Sequence, residues 1–273
     1  MRKRRAPTKA TIEVISLQSG SEGNSYYIEA GGVGILIDAG ISGVRVTQRL
    51  QRLGKDIGKC RSLFISHDHR DHAQCAGIYH RKFGLPIHVT EPTWNAILCC
   101  WNIGKIAPTA LRFIKRGDCV EVPTAAGPLR VHSFPTPHDG VDCLAFVVEC
   151  DGKRLGILSD LGHSFPALRS IIRSLDGVII ESNYDPVMLR NGPYPLELQA
   201  RIAGQGGHLS NEESAELVEW AVAGNRLQWA VLCHLSAENN TPRRAIDAHR
   251  AVVPKQFAVQ VADRYEACGP WYV

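Results

Sequence analysis

Short apolar runs separated by glycine-rich turns dominate the first third of the chain. Apolar runs bounded by such turns are typical of β-strands, and they predict strands at 11–17, 25–30, 33–38 and 62–66. Apolar residues at positions 44, 46, 50 and 53 follow near-helical spacing and predict a helix before the fourth strand. The pattern then predicts a helix over 73–83, a strand at 87–90 and a helix near 93–99.

The second half repeats this order of strands followed by helices. Apolar, β-branched runs predict strands near 119–122, 129–134, 144–149, 154–159, 178–181 and 229–234. Helical periodicity is found at roughly 165–174, 196–202, 211–222 and 241–252. Two groups of strands with helices after them predict an α/β sandwich, in which two mixed sheets pack face to face and the helices lie outside. No linker is long enough to divide the chain, so residues 11–273 are predicted to form a single domain.

The formal net charge of +4 is unevenly distributed. Residues 1–10 contain five Lys and Arg and no acid, so the rest of the chain sums to +4 − 5 = −1. A near-neutral body excludes a strong overall positive field as the means of attracting a partner. The basic N-terminal tail, 1–10, is predicted to be flexible. Two interpretations of it stay open: weak, salt-sensitive attraction to nucleic acid and a solubilising end.

The composition also excludes several classes of protein. With 44% hydrophobic and 21% charged residues, the chain is neither disordered nor fibrous. No apolar run approaches the roughly 18 residues that a membrane-spanning helix needs, and no signal-peptide core follows the basic end. Nine cysteines without a Cys-x-x-Cys pair predict reduced, buried thiols. These features predict a cytoplasmic location and no membrane partner.

The segment 67–72 reads His-Asp-His-Arg-Asp-His and directly follows a predicted strand. Neutral imidazole and carboxylate are ligands that zinc, manganese and iron accept. In an extended segment His67 and His69 point the same way, while Asp71 and His72 turn toward a second ion. The competing interpretation is a chance cluster among the 11 histidines of the chain.

Four further candidates each lie at the end of a predicted strand or directly after one: Asp38, His138, Asp160 and His234. Taken singly, a histidine after a strand is an ordinary loop residue, and an aspartate there is often a cap. Residues at strand ends are held by a rigid sheet, which suits metal ligands. Their order along the chain makes them candidates together with segment 67–72.

This His-x-His-x-Asp-His pattern, with the four strand-end residues in order, resembles the metallo-β-lactamase superfamily of dinuclear hydrolases. The resemblance implies a four-layered αββα fold and two divalent metal ions of zinc, manganese or iron. The first ion would be held by His67, His69 and His138. The second would be held by Asp71, His72 and His234, with Asp160 bridging both. Asp38 corresponds to the family's non-ligand aspartate, which would support the histidine segment from behind.

Below the superfamily, several short segments look like its WalJ/YycJ-type bacterial branch. The likeness covers roughly residues 12–265 and is carried by 19–24, 181–183, 192–195, 207–211, 234–236 and 239–241. Members are regarded as metal-dependent phosphodiesterases, usually 5′-to-3′ DNA exonucleases. Neighbouring branches are tRNA 3′-processing endonucleases and the cyclic phosphodiesterase of phosphonate breakdown. The chain lacks the long Gly/Pro arm of the tRNA-processing branch and the large insertion of mRNA-end and DNA-repair nucleases, which disfavours specific RNA processing.

Outside the metal ligands, His208 is the main candidate for proton transfer. Gly-His-Leu-Ser at 207–210 looks like the Gly-His-Ser-Thr segment of the tRNA-processing relatives, whose histidine protonates the leaving oxygen. The structural alternative is that Ser210 caps the helix near 211 and His208 is a loop residue. Ser21 and Asn24 are candidates for binding a phosphate, with tight-turn chemistry as the alternative. His208 and Ser210 complete the predicted substrate-binding set.

The leading hypothesis is a dinuclear phosphodiesterase, most plausibly a 5′-to-3′ DNA exonuclease, in which metal-bound hydroxide attacks the phosphate. Asp71, Asp160 and His208 are its predicted catalytic residues, and the partner is DNA or a smaller phosphodiester. The enzymatic alternative is a thioester, lactam or small cyclic phosphodiester hydrolase, because the same metal core serves those reactions. A metal-stabilised interaction domain without activity is the remaining alternative.

Overall fold

A computed structural model of the protein describes residues 11–273, so the predicted tail at 1–10 lies outside the described residues. The first sheet contains β1 (Glu13–Gln18), β2 (Ser25–Ala30), β3 (Val33–Ile37), β4 (Cys60–Phe64), β5 (Ile87–Val89), β6 (Leu111–Phe113) and β14 (Cys268–Tyr272). The second contains β7 (Cys119–Val122), β8 (Leu129–Pro135), β9 (Leu144–Cys150), β10 (Lys153–Leu158), β11 (Gly177–Glu181), β12 (Trp229–Cys233) and β13 (Ala258–Val261).

The helices of the described chain lie between and after these strands. They are α1 (Gly43–Arg52), α2 (Arg70–Ala73), α3 (Ala76–Phe83), α4 (Glu91–Cys100), α5 (Pro166–Arg173), α6 (Pro186–Asn191), α7 (Leu196–Ile202), α8 (Asn211–Val222) and α9 (Pro242–Val252). None of the helices in this part of the chain has the length and apolar character needed to cross a bilayer.

Both sheets are mixed, and each changes direction at its centre. In the order β14-β1-β2-β3-β4-β5-β6 the first three pairings are antiparallel and the last three are parallel. The order β7-β8-β9-β10-β11-β12-β13 shows the same change. Parallel neighbours bring their carboxyl ends to one edge of a sheet. The residues that follow β3 and β4, and those that follow β10, β11 and β12, therefore gather at such edges.

Three apolar clusters fill the space between the layers. One lies between the sheets and includes Ile28, Phe146 and Ile179. A second packs the outer face of the first sheet against α1, α3 and α4, and a third packs the second sheet against α5, α8 and α9. Because a strand alternates its side chains between two faces, Tyr26 faces the other sheet while Tyr27 faces the helices. Burial on both faces explains why these strands read as continuous apolar runs.

The helix predicted over 73–83 is wrong in its boundaries. The chain instead forms α2 and α3, separated by a turn at Gln74 and Cys75. The N–H of Cys75 donates to Ala39 O at 2.9 Å, and the Asp71 carbonyl accepts from Asn24 N at 2.7 Å. The hydrogen bond that would continue the helix between Asp71 and Cys75 is thus replaced by two tertiary bonds.

Several elements were not predicted, namely β6, β13, β14 and α6.

The exposure of the thiols also differs from the prediction that they are buried. All nine cysteines are free, but Cys99, Cys100 and Cys119 are exposed rather than buried.

Candidate metal centre

The segment 67–72 is fixed by an aspartate that lies behind it. Asp38 follows β3 and is almost fully buried. Its Oδ1 accepts from Ser66 N at 2.8 Å, and its Oδ2 accepts from Ser66 Oγ at 3.0 Å and from His72 Nδ1 at 2.7 Å. These bonds fix the backbone where the segment leaves β4 and orient one of its imidazoles. Asp38 therefore lies behind segment 67–72 and contacts Ser66 and His72. Its supporting role stays a prediction.

Four overlapping sets of ligand-type side chains occur among the described residues. His67, His69 and His138 form one of them, called group one. Their ligand-type atoms lie within 4.8 Å of one another. His67 Nδ1 is 2.9 Å from Ser66 Oγ, and His138 Nδ1 donates to Gly207 O at 2.8 Å. The partners on Nδ1 leave Nε2 of both rings facing inward as a lone-pair donor. His138 Nε2 lies 3.2 Å from His69 Nδ1, as expected for two nitrogens that share one ion.

Asp71, His72 and His234 form group two, again with ligand-type atoms within 4.8 Å. His72 Nε2 and His234 Nε2 lie 3.5 and 3.4 Å from Asp71 Oδ2. Segment 67–72 packs so closely against position 40 that only a glycine fits there. A Cβ at Gly40 would lie 1.7 Å from Asp71 O.

Asp160 lies between the two groups. Its Oδ2 is 3.1 Å from His72 Nε2, and its Oδ1 is 3.6 Å from His138 Nε2. The carboxylate therefore reaches one member of each group, which is the arrangement needed to bridge two ions. Asp160 follows β10 after one residue, Ser159, and parallel pairing of β10 with β11 and of β11 with β12 brings it beside His234.

The donor set fits divalent cations, and one buried atom supports the fit. His67 Nε2 is buried and has no hydrogen-bond partner. Such an orphaned acceptor is costly in a folded protein unless a ligand satisfies it. With imidazole nitrogens and carboxylate oxygens as the remaining donors, the site suits zinc, manganese or iron.

The two groups differ in electrostatics. Burial and neighbouring imidazoles hold the pKa of His67 and of His69 below the usual histidine value. In group two, burial opposes the charged imidazole, but Asp160 and the other carboxylates outweigh it. They raise the pKa of His72, and they raise that of His234 to about 10. The Asp71 pKa is held well below its ordinary range, because His72 and His234 outweigh burial.

Comparison with known proteins places the chain in a family. The family model described as "Metallo-beta-lactamase superfamily" matches residues 19–217. The chain belongs to the metallo-beta-lactamase superfamily. This confirms the predicted fold class and the prediction of a metal-dependent hydrolase, and with the His/Asp groups it supports binding of divalent metal.

The resemblance to the WalJ/YycJ branch of the superfamily is also confirmed. The chain is 34% identical over 224 residues to exodeoxyribonuclease WalJ of Streptococcus pneumoniae, covering 82% of this chain and 81% of that protein. It is 32% identical over 244 residues to exodeoxyribonuclease YycJ of Bacillus anthracis, covering 89% and 90%. The metallo-beta-lactamase fold protein YhfI of Bacillus subtilis shares the fold at a TM-score of 0.68 and 16% identity, covering 97% and 100%.

Three strand-end residues of this superfamily member share an unusual backbone. Asp38, Asp160 and His234 have φ of 64°, 54° and 54°, in the left-handed region. Non-glycine residues there cost of order 1–2 kcal/mol each, and such strain concentrates at functional sites. The turn directs each side chain off the end of its strand instead of onto a sheet face.

His208 lies beside the groups, paired with a residue that the sequence analysis missed. Its Nδ1 is 2.6 Å from Glu181 Oε1 and 3.5 Å from Asp160 Oδ1. Glu181 is fully buried, and His208 outweighs burial to keep the Glu181 pKa below its ordinary range. Glu181 ends β11, so the strand-end pattern that indicated Asp160 also applies to it.

The predicted substrate-binding residues lie in different surroundings. Ser21 is exposed and lines a cleft of about 220 Å³ over the groups, together with His208. Asn24 is buried, and its Nδ2 donates to Gly20 O at 3.1 Å and to Asp71 Oδ2 at 3.0 Å. Ser210 caps α8 in a reciprocal pair with Glu213, the alternative kept open above. The substrate-binding roles of Asn24 and Ser210 stay predictions.

One wall of the cleft comes from the segment that contains α7. Tyr194, Leu198 and Arg201 line the cleft together with His69 and Asp71. Asp139, which directly follows His138, also lines the cleft. None of these four was identified from the sequence. Asp139 could have been found by its position beside a candidate ligand. Segments 192–195 and 207–211, which carry the resemblance, flank α7 but do not single out Leu198 or Arg201.

Proposed function

We propose that this superfamily member is a dinuclear-metal phosphodiesterase that degrades DNA from the 5′ end. The observation that carries the proposal is the position of Asp160 between two groups of three ligand-type side chains, with the Glu181–His208 pair beside them. The names of the curated relatives favour DNA as the substrate. Both sheets supply residues to the groups, so we also propose that residues 11–273 act as one hydrolase domain.

The side chains divide the work of phosphodiester hydrolysis. Two divalent ions held by groups one and two would polarise the phosphate and lower the pKa of water. Each of three imidazoles is oriented by one partner: His72 by Asp38, His67 by Ser66 and His138 by Gly207 O. The buried sheet edges hold the reacting atoms in a fixed geometry, which lowers the entropic part of the barrier.

His208 is the proposed proton donor to the leaving oxygen. Its Nδ1 donates to the Glu181 carboxylate, so the ring is held in one orientation. In the doubly protonated ring, Nε2 would carry the proton that passes to the leaving oxygen. A leaving alkoxide of DNA needs a proton, and a positioned general acid contributes about 10²–10⁴-fold to the rate. Glu181 acts through His208 and is therefore a positioning residue.

The test compares two leaving groups in His208→Gln. DNA hydrolysis is expected to fall about 10²–10⁴-fold in kcat, whereas hydrolysis of bis(4-nitrophenyl) phosphate falls far less, because nitrophenolate leaves without a proton. His80→Gln is the control, since His80 Nδ1 likewise has one hydrogen-bond partner, Leu85 O, but His80 lies on α3 rather than beside the groups. Equal losses on both substrates would contradict the role of His208.

The direction of digestion is tested separately on duplex DNA with a label at either end. Early release of a 5′ label as mononucleotide is expected from wild-type protein. Lactoyl-glutathione and a chromogenic cephalosporin serve as comparison substrates. Turnover of either, without turnover of DNA, would replace the proposal with the thioester or lactam alternative.

A further inference from the structure

The cleft over the metal groups contains several acids but one permanently charged base. Among the described residues that line it, Asp71, Asp139 and Asp160 carry carboxylates, and Arg201 is the one Lys or Arg side chain. A polyanionic strand that enters such a cleft needs positive charge beyond that supplied by divalent ions at the reacting phosphate. Arg201 is therefore the group to examine for substrate contact.

Arg201 is held at the edge of group one by Asp139. Arg201 Nε donates to Asp139 Oδ2 at 2.6 Å, and Asp139 Oδ1 lies 3.5 Å from His69 Nε2 and 3.6 Å from His138 Nε2. The guanidinium is thus one carboxylate away from the side chains of group one. It lies close enough to meet a strand whose reacting phosphate is at the groups.

The position of α7 is coupled to the same residues. Asp139 N donates to Gly206 O at 3.0 Å, and His138 Nδ1 donates to Gly207 O at 2.8 Å. The turn after α7 is therefore attached to both Asp139 and a group-one histidine. Arg201 is presented from an anchored wall of the cleft, so its approach to the cleft does not depend on a free loop.

The ion pair can be exchanged at low cost. The side chain of Arg201 is 61% exposed and that of Asp139 is 28% exposed, and solvent-exposed pairs of this kind contribute little to stability. A phosphate offers Arg a bidentate, charge-assisted partner that is stronger than a partly solvated carboxylate. A strand in the cleft can therefore take Arg201 from Asp139.

We propose that Arg201 binds a backbone phosphate of the substrate strand next to the reacting phosphate, and that Asp139 holds Arg201 in place until the strand arrives. The inference rests on the proposed phosphodiesterase function and specifies its substrate as a strand with more than one phosphate. Tyr194 and Leu198 lie on the same wall and offer flat apolar surface to the accompanying nucleotide.

The first experiment compares Arg201→Gln with Arg130→Gln on a single-stranded oligonucleotide. Arg130 is a matched control, because it pairs with Glu121 at 2.8 Å on the surface at the far end of β8. Arg201→Gln is expected to raise KM about tenfold with little change in kcat, and Arg130→Gln to change neither. Arg201→Lys is expected to restore part of the loss, since it keeps the charge but not the fork.

Salt dependence gives a readout that a merely structural role would not move. Loss of one contact to a strand phosphate makes the slope of log(kcat/KM) against log salt concentration shallower by about 0.7. The slope is expected to change in Arg201→Gln and to be retained in Arg201→Lys. Metal content per chain is measured for every variant, so that loss of metal is recognised.

Asp139→Asn separates substrate binding from support of the fold. Removal of the competing carboxylate frees Arg201, so KM for the oligonucleotide is expected to fall, opposite to the effect of Arg201→Gln. If Asp139→Asn and Arg201→Gln raise KM alike, or if Arg201→Gln changes neither KM nor the salt slope while wild-type protein degrades DNA, the inference is overturned and the proposed function stands. Wild-type protein that does not degrade DNA overturns both.

Discussion

Group one and group two have the same number of ligand-type side chains but different chemistry around them. Group one consists of three imidazoles, and two of these are oriented by neutral groups, Ser66 Oγ and Gly207 O. Group two contains the carboxylate of Asp71, and its His72 is backed by a second carboxylate, that of Asp38. Asp160 is shared between them.

For the two ions proposed above, the difference predicts unequal binding. A cation in group two would gain attraction from Asp71 and, through His72, from Asp38. The carboxylate beside group one other than Asp160 is that of Asp139, whose charge is offset by its pair with Arg201. We therefore expect group two to retain its ion more strongly. Group one also lies next to Asp139 and Arg201, so the more weakly held ion would be the one beside the proposed strand contact.

The largest effect is expected when the shared residue is removed. Asp160→Ala should lower metal content in both groups and reduce turnover of DNA by about 10³-fold or more. Metal analysis of protein purified without chelator, together with the DNA assay, measures both effects. Asp160→Asn retains the shape and tolerates the left-handed backbone, so it distinguishes loss of the carboxylate from backbone strain.

The control for that change is Asp247→Ala, which removes an exposed aspartate of α9 that faces Arg243. It should retain metal and activity. Normal activity in Asp160→Ala protein would remove the basis for a shared, bridging carboxylate.

An intermediate effect is expected from the supporting residues. Asp38→Asn leaves the backbone acceptable, since Asn tolerates positive φ, but it weakens the charge behind His72. We expect about 10–100-fold weaker metal binding in group two, measured by competition with a chromophoric chelator. Ser66→Ala removes the neutral partner of His67 and should cost less. A larger loss in Ser66→Ala would reverse the proposed order of the two groups.

The smallest signal is the number of protons released when metal binds. The raised pKa values of His72 and His234 favour their protonated forms in metal-free protein, whereas the lowered pKa values of His67 and His69 favour their neutral forms. Because metal replaces ligand protons, binding to group two should release more protons than binding to group one. Calorimetry in buffers of different ionisation enthalpy counts them.

The pH dependence of metal binding to group two follows from the same pKa values. A histidine whose folded pKa is raised stabilises metal-free protein fully below the unfolded value near 6.5. For His234 that stability is lost as the pH rises through about 10. Metal binding to group two should accordingly strengthen with pH over this range, and His234→Ala should reduce the number of protons released. Equal release from both groups would contradict the comparison.

The sequence was most informative where the relevant residues are contiguous or repeat a pattern. Segment 67–72 carries four ligand-type residues of the two groups within six positions, directly after a strand. Asp160 and His234 were recognisable because each follows an apolar strand, and the structure brings them together at the edge of the second sheet. Glu181 obeys the same pattern but was not selected, since an acid that ends a strand is common without a partner in view.

The unpredicted strands show where local pattern is insufficient. β14 contains Gly269 and Pro270, which disfavour a strand. It forms because its backbone pairs with β1 at the opposite end of the chain, where an edge position tolerates a proline. Pairing across the whole sequence leaves no local signal.

The sequence by itself determined the two-sheet architecture, the ligand-type residues of the candidate metal centre and the family. Strands buried on both faces appear in it as continuous apolar runs, and the candidate residues appear in order at the ends of those runs. Only the tertiary structure decided which atoms meet. Asp139 and Arg201 are 62 residues apart, and Glu181 and His208 are 27 apart. Packing of α7 and the turn after it against the strand ends brings each pair together. Contacts of this kind depend on distances in space, which periodicity along the chain does not encode.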